Sequence, residues 1–154
     1  MTKERKRFFL SNFFSCWIYT IVETPVVERI LFGRWWTAFH PATFIPSYVI
    51  GLCVAYWFPC AAFADYLQGR YFASIQNERS KKWVANLLFA TIFEFVFGLI
   101  IQAYFVFLVP EGSHDISEFF ISFLKQYFPC IPINALISLL VLEPCDRLAE
   151  KLIP

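Results

Sequence analysis

Four long stretches of mostly apolar residues limit what this chain can fold into. They run over 8–32, 42–66, 84–109 and 116–142. A helix rises about 1.5 Å per residue and the hydrocarbon core of a bilayer is about 30 Å thick, so about 20 residues suffice to cross it. Only 16% of the residues are charged, whereas a soluble domain has about a quarter. We therefore expect one all-α domain, residues 1–154, built as an integral membrane bundle of four transmembrane helices.

The basic residues are unevenly distributed between the two ends of the expected bundle. The N-terminal tail holds four of the thirteen Lys and Arg residues, the loop over 68–82 holds four, and the C-terminal tail holds two. Short loops rich in Lys and Arg stay in the cytoplasm. We expect a multi-pass protein whose N- and C-termini and 68–82 loop are cytoplasmic.

Two short sequence matches suggest an internal repeat. The second stretch closes with Asp65-Tyr-Leu-Gln-Gly-Arg70 and the fourth with Asp146-Arg-Leu-Ala-Glu-Lys151, and Ile45-Pro46 recurs as Ile131-Pro132. Two two-helix repeats are one origin of such a pattern. Matches this short arise by chance nearly as easily, so both explanations stay open.

Cysteine and histidine placement gives no reason to expect a metal site. The five cysteines are odd in number, show no C-x-x-C spacing, and lie in or beside apolar stretches. We expect them to be packing residues, with no disulfide, metal or cofactor.

The chain also lacks a nucleophile elbow, a Gly-rich phosphate loop and a paired-His motif, so an enzyme is not expected. A net charge of +1 gives no sign of a nucleic-acid partner.

Small and polar residues recur at helical spacing within three of the apolar stretches. In the first stretch, Asn12, Ser15, Cys16, Tyr19, Thr20 and Glu23 share one helix face. In the third, the residues four apart are Asn86, Ala90, Glu94, Gly98 and Gln102. Small residues allow close helix approach and polar residues form interhelical hydrogen bonds. We expect Gly51, Ala55, Gly98 and Gln102 at helix contacts.

Three charged residues within the apolar stretches share a depth. Helix rise places Glu94, Lys125 and Glu23 about 16, 20 and 22 Å from the inner boundary. A charge at this depth costs about 2.5–3.5 kcal/mol or more, so its presence needs a reason. With one base for two acids, one carboxyl is left over and should hold its proton more tightly. Either the group is a proton-carrying site with Lys125 shared between the acids, or it is a static ion pair beside a neutral acid.

Four groups of residues follow the pattern of a known family. They are Phe14, Tyr19, Val22 and Glu28; Trp57, Pro59 and Asp65; Trp83-Val-Ala-Asn86-Leu87; and Leu142-Glu143-Pro-Cys145-Asp-Arg147-Leu148. In these residues the chain resembles the L-alanine exporter family, small four-span proteins of the bacterial inner membrane. This resemblance implies export of L-alanine driven by the proton gradient. It adds Glu28 as a candidate charged site. More distant resemblances are to short membrane proteins built from two-span repeats and to small multidrug exporters.

These observations favour a proton-coupled exporter of a small substrate. The family resemblance implies that this substrate is an amino acid such as L-alanine. Its proton and substrate pathway would contain Glu23, Glu28, Glu94 and Lys125. The expected partners are the lipid bilayer and a small-molecule substrate. A homo-oligomer is one way for a narrow four-helix bundle to enclose a path. The alternative is a structural or accessory membrane protein without transport activity.

Overall fold

The computed structural model describes residues 2–33 and 39–153, with only the backbone of Phe32. The described residues are helical throughout, joined by short turns, and contain no strand. The helices are α1 (Lys3–Phe32), α2 (Pro41–Trp57), α3 (Cys60–Tyr71), α4 (Glu78–Ala103), a π-helix (Tyr104–Leu108) that continues α4, and α5 (Ile116–Leu152).

Side-chain caps fix where the long helices begin. The side chain of Thr2 accepts a hydrogen bond from the Arg5 amide, and that of Asn77 accepts one from the Arg79 amide. Asp115 Oδ1 accepts one from the Ser117 amide at 2.7 Å. Each oxygen satisfies an N–H that has no partner within its helix. At the other end of α1, Gly33 adopts φ +69°, a left-handed conformation that glycine reaches without strain.

Within residues 2–33 and 39–153, two helices are long and apolar enough to cross a membrane, namely α4 with its π-helix, Glu78–Leu108, and α5. A third span results if the bent pair of α2 and α3 counts as one. These helices mark a membrane protein. The predicted four-span bundle is therefore reached only in part, because α1 is not among the helices that qualify. Its polar face lowers its mean hydropathy, although α1 covers the whole of the predicted span 8–32.

The predicted second span, 42–66, is two helices that meet at an angle of 55°. The break falls at Phe58 and Pro59, between α2 and α3. Pro59 has no N–H to donate, and a residue before proline avoids the helical conformation. Phe58 accordingly has φ −93° and ψ 128°. The third predicted span, 84–109, corresponds to α4 with its π-helix, Glu78–Leu108, and ends one residue beyond it. The fourth, 116–142, lies within α5, which continues to Leu152.

The helices form a ring in which each packs on its neighbours. α1 packs between α2 and α5, and α4 packs between α5 and the α2–α3 pair. The start of α1 meets the end of α5, where Arg7 Nε donates to the Ile153 carbonyl at 2.8 Å. The start of α4 meets the same end, where Lys82 Nζ lies 3.6 Å from Glu143 Oε2. We call this end of the bundle the basic end. The opposite end, with the start of α2 and residues 108–115, is the acidic end.

Aromatic and aliphatic side chains divide between the interior and the outer surface. One buried cluster joins α2, α3 and α4 through Val54, Cys60, Phe93, Phe97 and Ile101. Many large apolar side chains face outwards instead, among them Trp57, Phe128 and Leu140 at 64–72% exposure. Apolar surface on this scale fits a lipid environment better than water.

The small residues of the predicted packing rows lie at helix contacts. A Cβ at Gly98 would come within 3.1 Å of the Phe123 ring of α5. A Cβ at Gly51 would lie 3.7 Å from the Phe97 ring of α4. Ala55 packs against the buried cluster. Gln102 does more than pack, because its Nε2 donates to Gln126 Oε1 at 2.7 Å.

Candidate functional site: a buried carboxyl pair below a cavity

Three helices bring two carboxyl groups and one amide together in the middle of the bundle. Glu23 comes from α1, Glu94 from α4 and Asn134 from α5, and all three are at most 5% exposed. The Asn134 Nδ2 donates to Glu23 Oε2 at 3.2 Å and also to Glu94 Oε1. One amide group therefore bridges the two acids, with one N–H for each.

The remaining oxygens of this trio have no hydrogen-bond partner among the described residues. They are Glu23 Oε1, Glu94 Oε2 and Asn134 Oδ1. All three are acceptors when the acids are ionised, so the trio lacks hydrogen-bond donors. A buried acceptor without a donor costs about 1–3 kcal/mol, and more when it is charged. A bound proton would supply the missing donor.

The shared ion pair with Lys125 does not form. Glu23, Glu94 and Lys125 are all described, yet the lysine is exposed on α5 and bridges neither acid. Helix rise gives depth, but each residue also turns about 100° around the axis. The next residue, Gln126, points inward and is 1% exposed. Lys125 consequently points away from the pair, and Asn134 occupies the place assigned to it.

A polar row on α5 supplies the residues that sequence reasoning missed. Its members are four apart and at most 2% exposed, namely Gln126, Cys130, Asn134 and Ser138. This spacing is the same signal that marked the rows on α1 and α4. The residues that stood out in this stretch of sequence, Lys125, Pro129 and Pro132, lie on other faces of the helix.

Hydroxyl groups close the bundle on the basic side of the carboxyl pair. The Tyr19 hydroxyl of α1 hydrogen bonds with the Ser138 hydroxyl of α5, which also donates to the Asn134 carbonyl at 2.7 Å. Two turns further, Ser11 Oγ donates to Asp146 Oδ1 at 2.5 Å. These contacts tie α1 to α5 along the half of the bundle nearest the basic end.

A cavity of about 760 Å³ lies on the other side of the pair. It reaches from the acidic end inwards to Thr20, Phe97 and Gln126, and Glu23 lines it. Glu94 lies three residues beyond Phe97 on α4. The carboxyl of Glu23 thus stands between the cavity and the fully buried carboxyl of Glu94.

The other predicted pathway acid also lines this cavity. Glu28, 7% exposed, lies on α1 one turn and a half beyond Glu23 towards the acidic end. Gln102 and Gln126 line the opposite wall through their mutual hydrogen bond. The structure thus places Glu23 and Glu28 on the cavity, Glu94 beneath it, and Lys125 on the outer surface.

The comparisons with known proteins give this chain no relative. No protein-family model, no curated protein and no solved structure matches it. Function must therefore be argued from the geometry of the site.

A fourth side chain bears on which ion the pair could hold. The Sγ of Cys130 and one oxygen of each acid all lie within 4.8 Å of one another. A buried thiol binds metal weakly unless it is ionised. The Asn134 amide hydrogens already occupy one oxygen of each acid. The second oxygen of each acid, which has no hydrogen-bond partner among the described residues, and the Cys130 Sγ are the atoms that could hold a proton or an ion.

Proposed function

We propose that the chain is a proton-coupled membrane exporter of a small substrate. One observation supports this more than any other: two buried carboxyl groups, bridged by Asn134, lie at the inner end of a cavity with acceptor oxygens that lack donors. The proposal includes α1 as a fourth span, a bacterial inner membrane, and cytoplasmic termini at the basic end. An amino acid such as L-alanine is the substrate that the family resemblance suggests.

The charge of the pair supports a role for protons. One oxygen of Glu23 lies within 4.8 Å of one oxygen of Glu94, so the two carboxylates repel each other when both are ionised. Asn134 is neutral and does not compensate their charge. Burial of unpaired charges costs several kcal/mol per ion. A proton on one acid removes a charge and supplies a donor for a neighbouring oxygen. Binding and release of this proton by the carboxyl pair is the elementary step of proton coupling.

The position of the pair supports access from one side at a time. The cavity connects Glu23 with the acidic end. On the basic side, the Tyr19–Ser138 and Ser11–Asp146 hydrogen bonds close α1 against α5. A transporter must expose its site alternately to the two sides. This arrangement is what an outward-open state requires, with α1 and α5 as the elements that separate in the opposite state.

A structural or accessory membrane protein is the competing function. Its support is the same bridge, because a fully buried Glu–Asn–Glu trio can also hold three helices in register. The two functions differ in what loss of one acid does. A structural trio loses stability, whereas a proton site loses coupling and keeps its fold.

The deciding experiment replaces Glu94 by Gln. The amide keeps the shape and the hydrogen bonding of the side chain but does not titrate. Purified protein is reconstituted into vesicles loaded with L-alanine, and efflux is followed after a pH gradient is imposed. We expect pH-driven efflux to fall at least about tenfold, a barrier change of about 1.4 kcal/mol or more, with the thermal midpoint preserved.

The matched control is Glu78→Gln, the same change in the first turn of the same helix, where the side chain is exposed. This variant should export at the unsubstituted rate. A folded Glu94→Gln protein that still exports against a gradient would end the proton-site proposal. A Glu94→Gln protein that fails to fold would support the structural role.

A further inference from the structure

The charged residues that the structure describes along the wall of this cavity are acids. Glu23 lines its inner end, and Glu111 and Glu118 line its rim. The lining residues that the structure describes include no Lys, Arg or His. Low-dielectric walls of one charge sign concentrate ligands of the opposite sign. A ligand in this cavity therefore meets a negative potential.

Glu23 gives this acidic lining a specific point of attachment. Its side chain is 5% exposed and lines the cavity, and its Oε1 has no hydrogen-bond partner among the described residues. Surface acids such as Glu118 can be satisfied by water, but a buried oxygen of this kind needs a donor. An ammonium group offers up to three N–H donors together with a positive charge.

The other walls fit the organic part of a ligand. Apolar and aromatic side chains of α4 and the π-helix line the cavity, among them Phe97, Ile101, Tyr104 and Phe105. Aromatic faces attract cations as well as apolar groups. The volume of about 760 Å³ lies within the range of about 300–1,000 Å³ typical of small-molecule sites. A bare inorganic ion would leave most of it unfilled.

We infer that the cavity binds an organic ammonium ion, a substrate with a positive charge and no carboxylate. This inference rests on the proposed exporter and differs from it in substrate class, since a cation takes the place of the zwitterionic L-alanine that the family resemblance suggests. The carboxylate of a zwitterionic amino acid would enter beside Glu23, Glu111 and Glu118 and find no cationic partner among the described lining residues. The carboxamide of the same amino acid, or the amine that lacks its carboxylate, avoids this repulsion and retains the ammonium group that Glu23 would bind.

The experiment compares three ligands that share one skeleton and differ in charge. L-Phenylalaninamide is cationic, L-phenylalanine is zwitterionic and N-acetyl-L-phenylalanine is anionic near pH 7. Binding to the protein in phosphatidylcholine nanodiscs is measured by titration calorimetry without any gradient, and empty nanodiscs give the lipid background. We expect the amide to bind at least about tenfold tighter than the zwitterion, equivalent to about 1.4 kcal/mol, and the anion not to bind.

Two glutamine variants locate the binding site. Glu118→Gln removes an acid at the cavity rim and should weaken amide binding about threefold, as expected for an exposed charge. Glu150→Gln, an exposed acid on the same helix at the basic end, should leave it unchanged. Equal loss in both variants, or equal binding of amide and zwitterion, overturns the inference.

The outcome is independent of the proton-coupling test. Amide binding without any efflux would contradict the exporter and leave the ligand class standing. Gradient-driven efflux of L-alanine by a protein that does not bind the amide would contradict the ligand class and leave the exporter standing.

Discussion

Asn134 is the residue on which the buried site depends most. Its two amide hydrogens are divided between Glu23 and Glu94, and its side chain is 1% exposed. A buried carboxylate that loses its only donor suffers the full desolvation penalty of that group. Removal of the Asn134 amide would therefore lower the stability of the fold in two ways: its own hydrogen bonds would be lost, and two buried carboxyl groups would be left without a donor.

Replacing Asn134 by Leu should destabilise the folded protein by about 3 kcal/mol, because both acids would lose their donor at once. Unfolding of the purified protein in detergent, followed by circular dichroism, measures the change. Asn86→Leu is the control, since the Asn86 amide only donates to the Lys82 carbonyl of its own helix at 2.8 Å. A cost no larger than that of the control would mean that the bridge does not hold the acids.

A second acid substitution should recover part of this loss. With Glu23→Gln added to Asn134→Leu, the new amide can donate to Glu94 and one buried charge is gone. The double variant should regain about 1 kcal/mol or more relative to Asn134→Leu alone, a coupling within the range of contacting residues. Strict additivity would show that the three side chains act separately.

The sequence predicted part of this site at the residue scale. Helix rise alone placed Glu23 and Glu94 at one depth, and in the structure one amide reaches both. Depth carries no information about direction around the axis, so Lys125 was wrongly expected between them. A neutral asparagine gave no charge signal, although its four-residue spacing from Cys130 and Ser138 was visible. On α5, the four-residue spacing of polar side chains therefore predicts the buried face better than the position of a charged residue does.

At the scale of the elements, Gly98 of α4 faces the Phe123 ring of α5. A Cβ at this position would lie 3.1 Å from one ring carbon and 3.3 Å from another. Such contacts are tighter than ordinary van der Waals distance, so the ring must yield even to alanine. The glycine therefore sets how near the two helices can come, and with it how Glu94 meets Asn134.

Replacing Gly98 by Leu should destabilise the protein by about 2 kcal/mol, the typical cost of overpacking a core. The unfolding measurement in detergent reports the change. Ile100→Leu is the control, because Ile100 faces outward on the same helix at 39% exposure. Phe97 would be a poor control, since it is itself buried at 6%. Equal effects of the two changes would mean that the helices are not in contact at Gly98.

The elements show where a sequence pattern falls short. Apolar length predicted the stretch over 42–66, but the direction of the chain within it depends on one residue. Pro59 ends α2 and turns α3 by 55°. Three prolines inside α5 leave that helix unbroken in the structure. Whether a proline bends or breaks a helix depends on packing around the freed carbonyl, which no local pattern records.

At the scale of the whole molecule, the two ends of the bundle differ in charge and in openness. The basic end is tied together by the contacts of Arg7 and Lys82 with α5. The acidic end opens into the cavity. Charge distribution in the sequence predicted the basic end as cytoplasmic, and the proposed exporter requires the cavity to face the opposite side.

Cysteine labelling from each side of the membrane tests this arrangement in one experiment. In a background without native cysteines, a membrane-impermeant maleimide applied outside should label Ser122→Cys, which lines the cavity, and leave Ser74→Cys in the exposed 68–82 loop unmodified. The same reagent added to the outside of inverted vesicles, which expose the cytoplasmic face, should give the reverse. Ser138→Cys, 2% exposed beside Tyr19, should react from neither side, because the hydroxyl contacts close that half of the bundle. Labelling of Ser74→Cys from outside would invert the topology, and rapid labelling of Ser138→Cys from outside would mean that the cavity runs past the carboxyl pair.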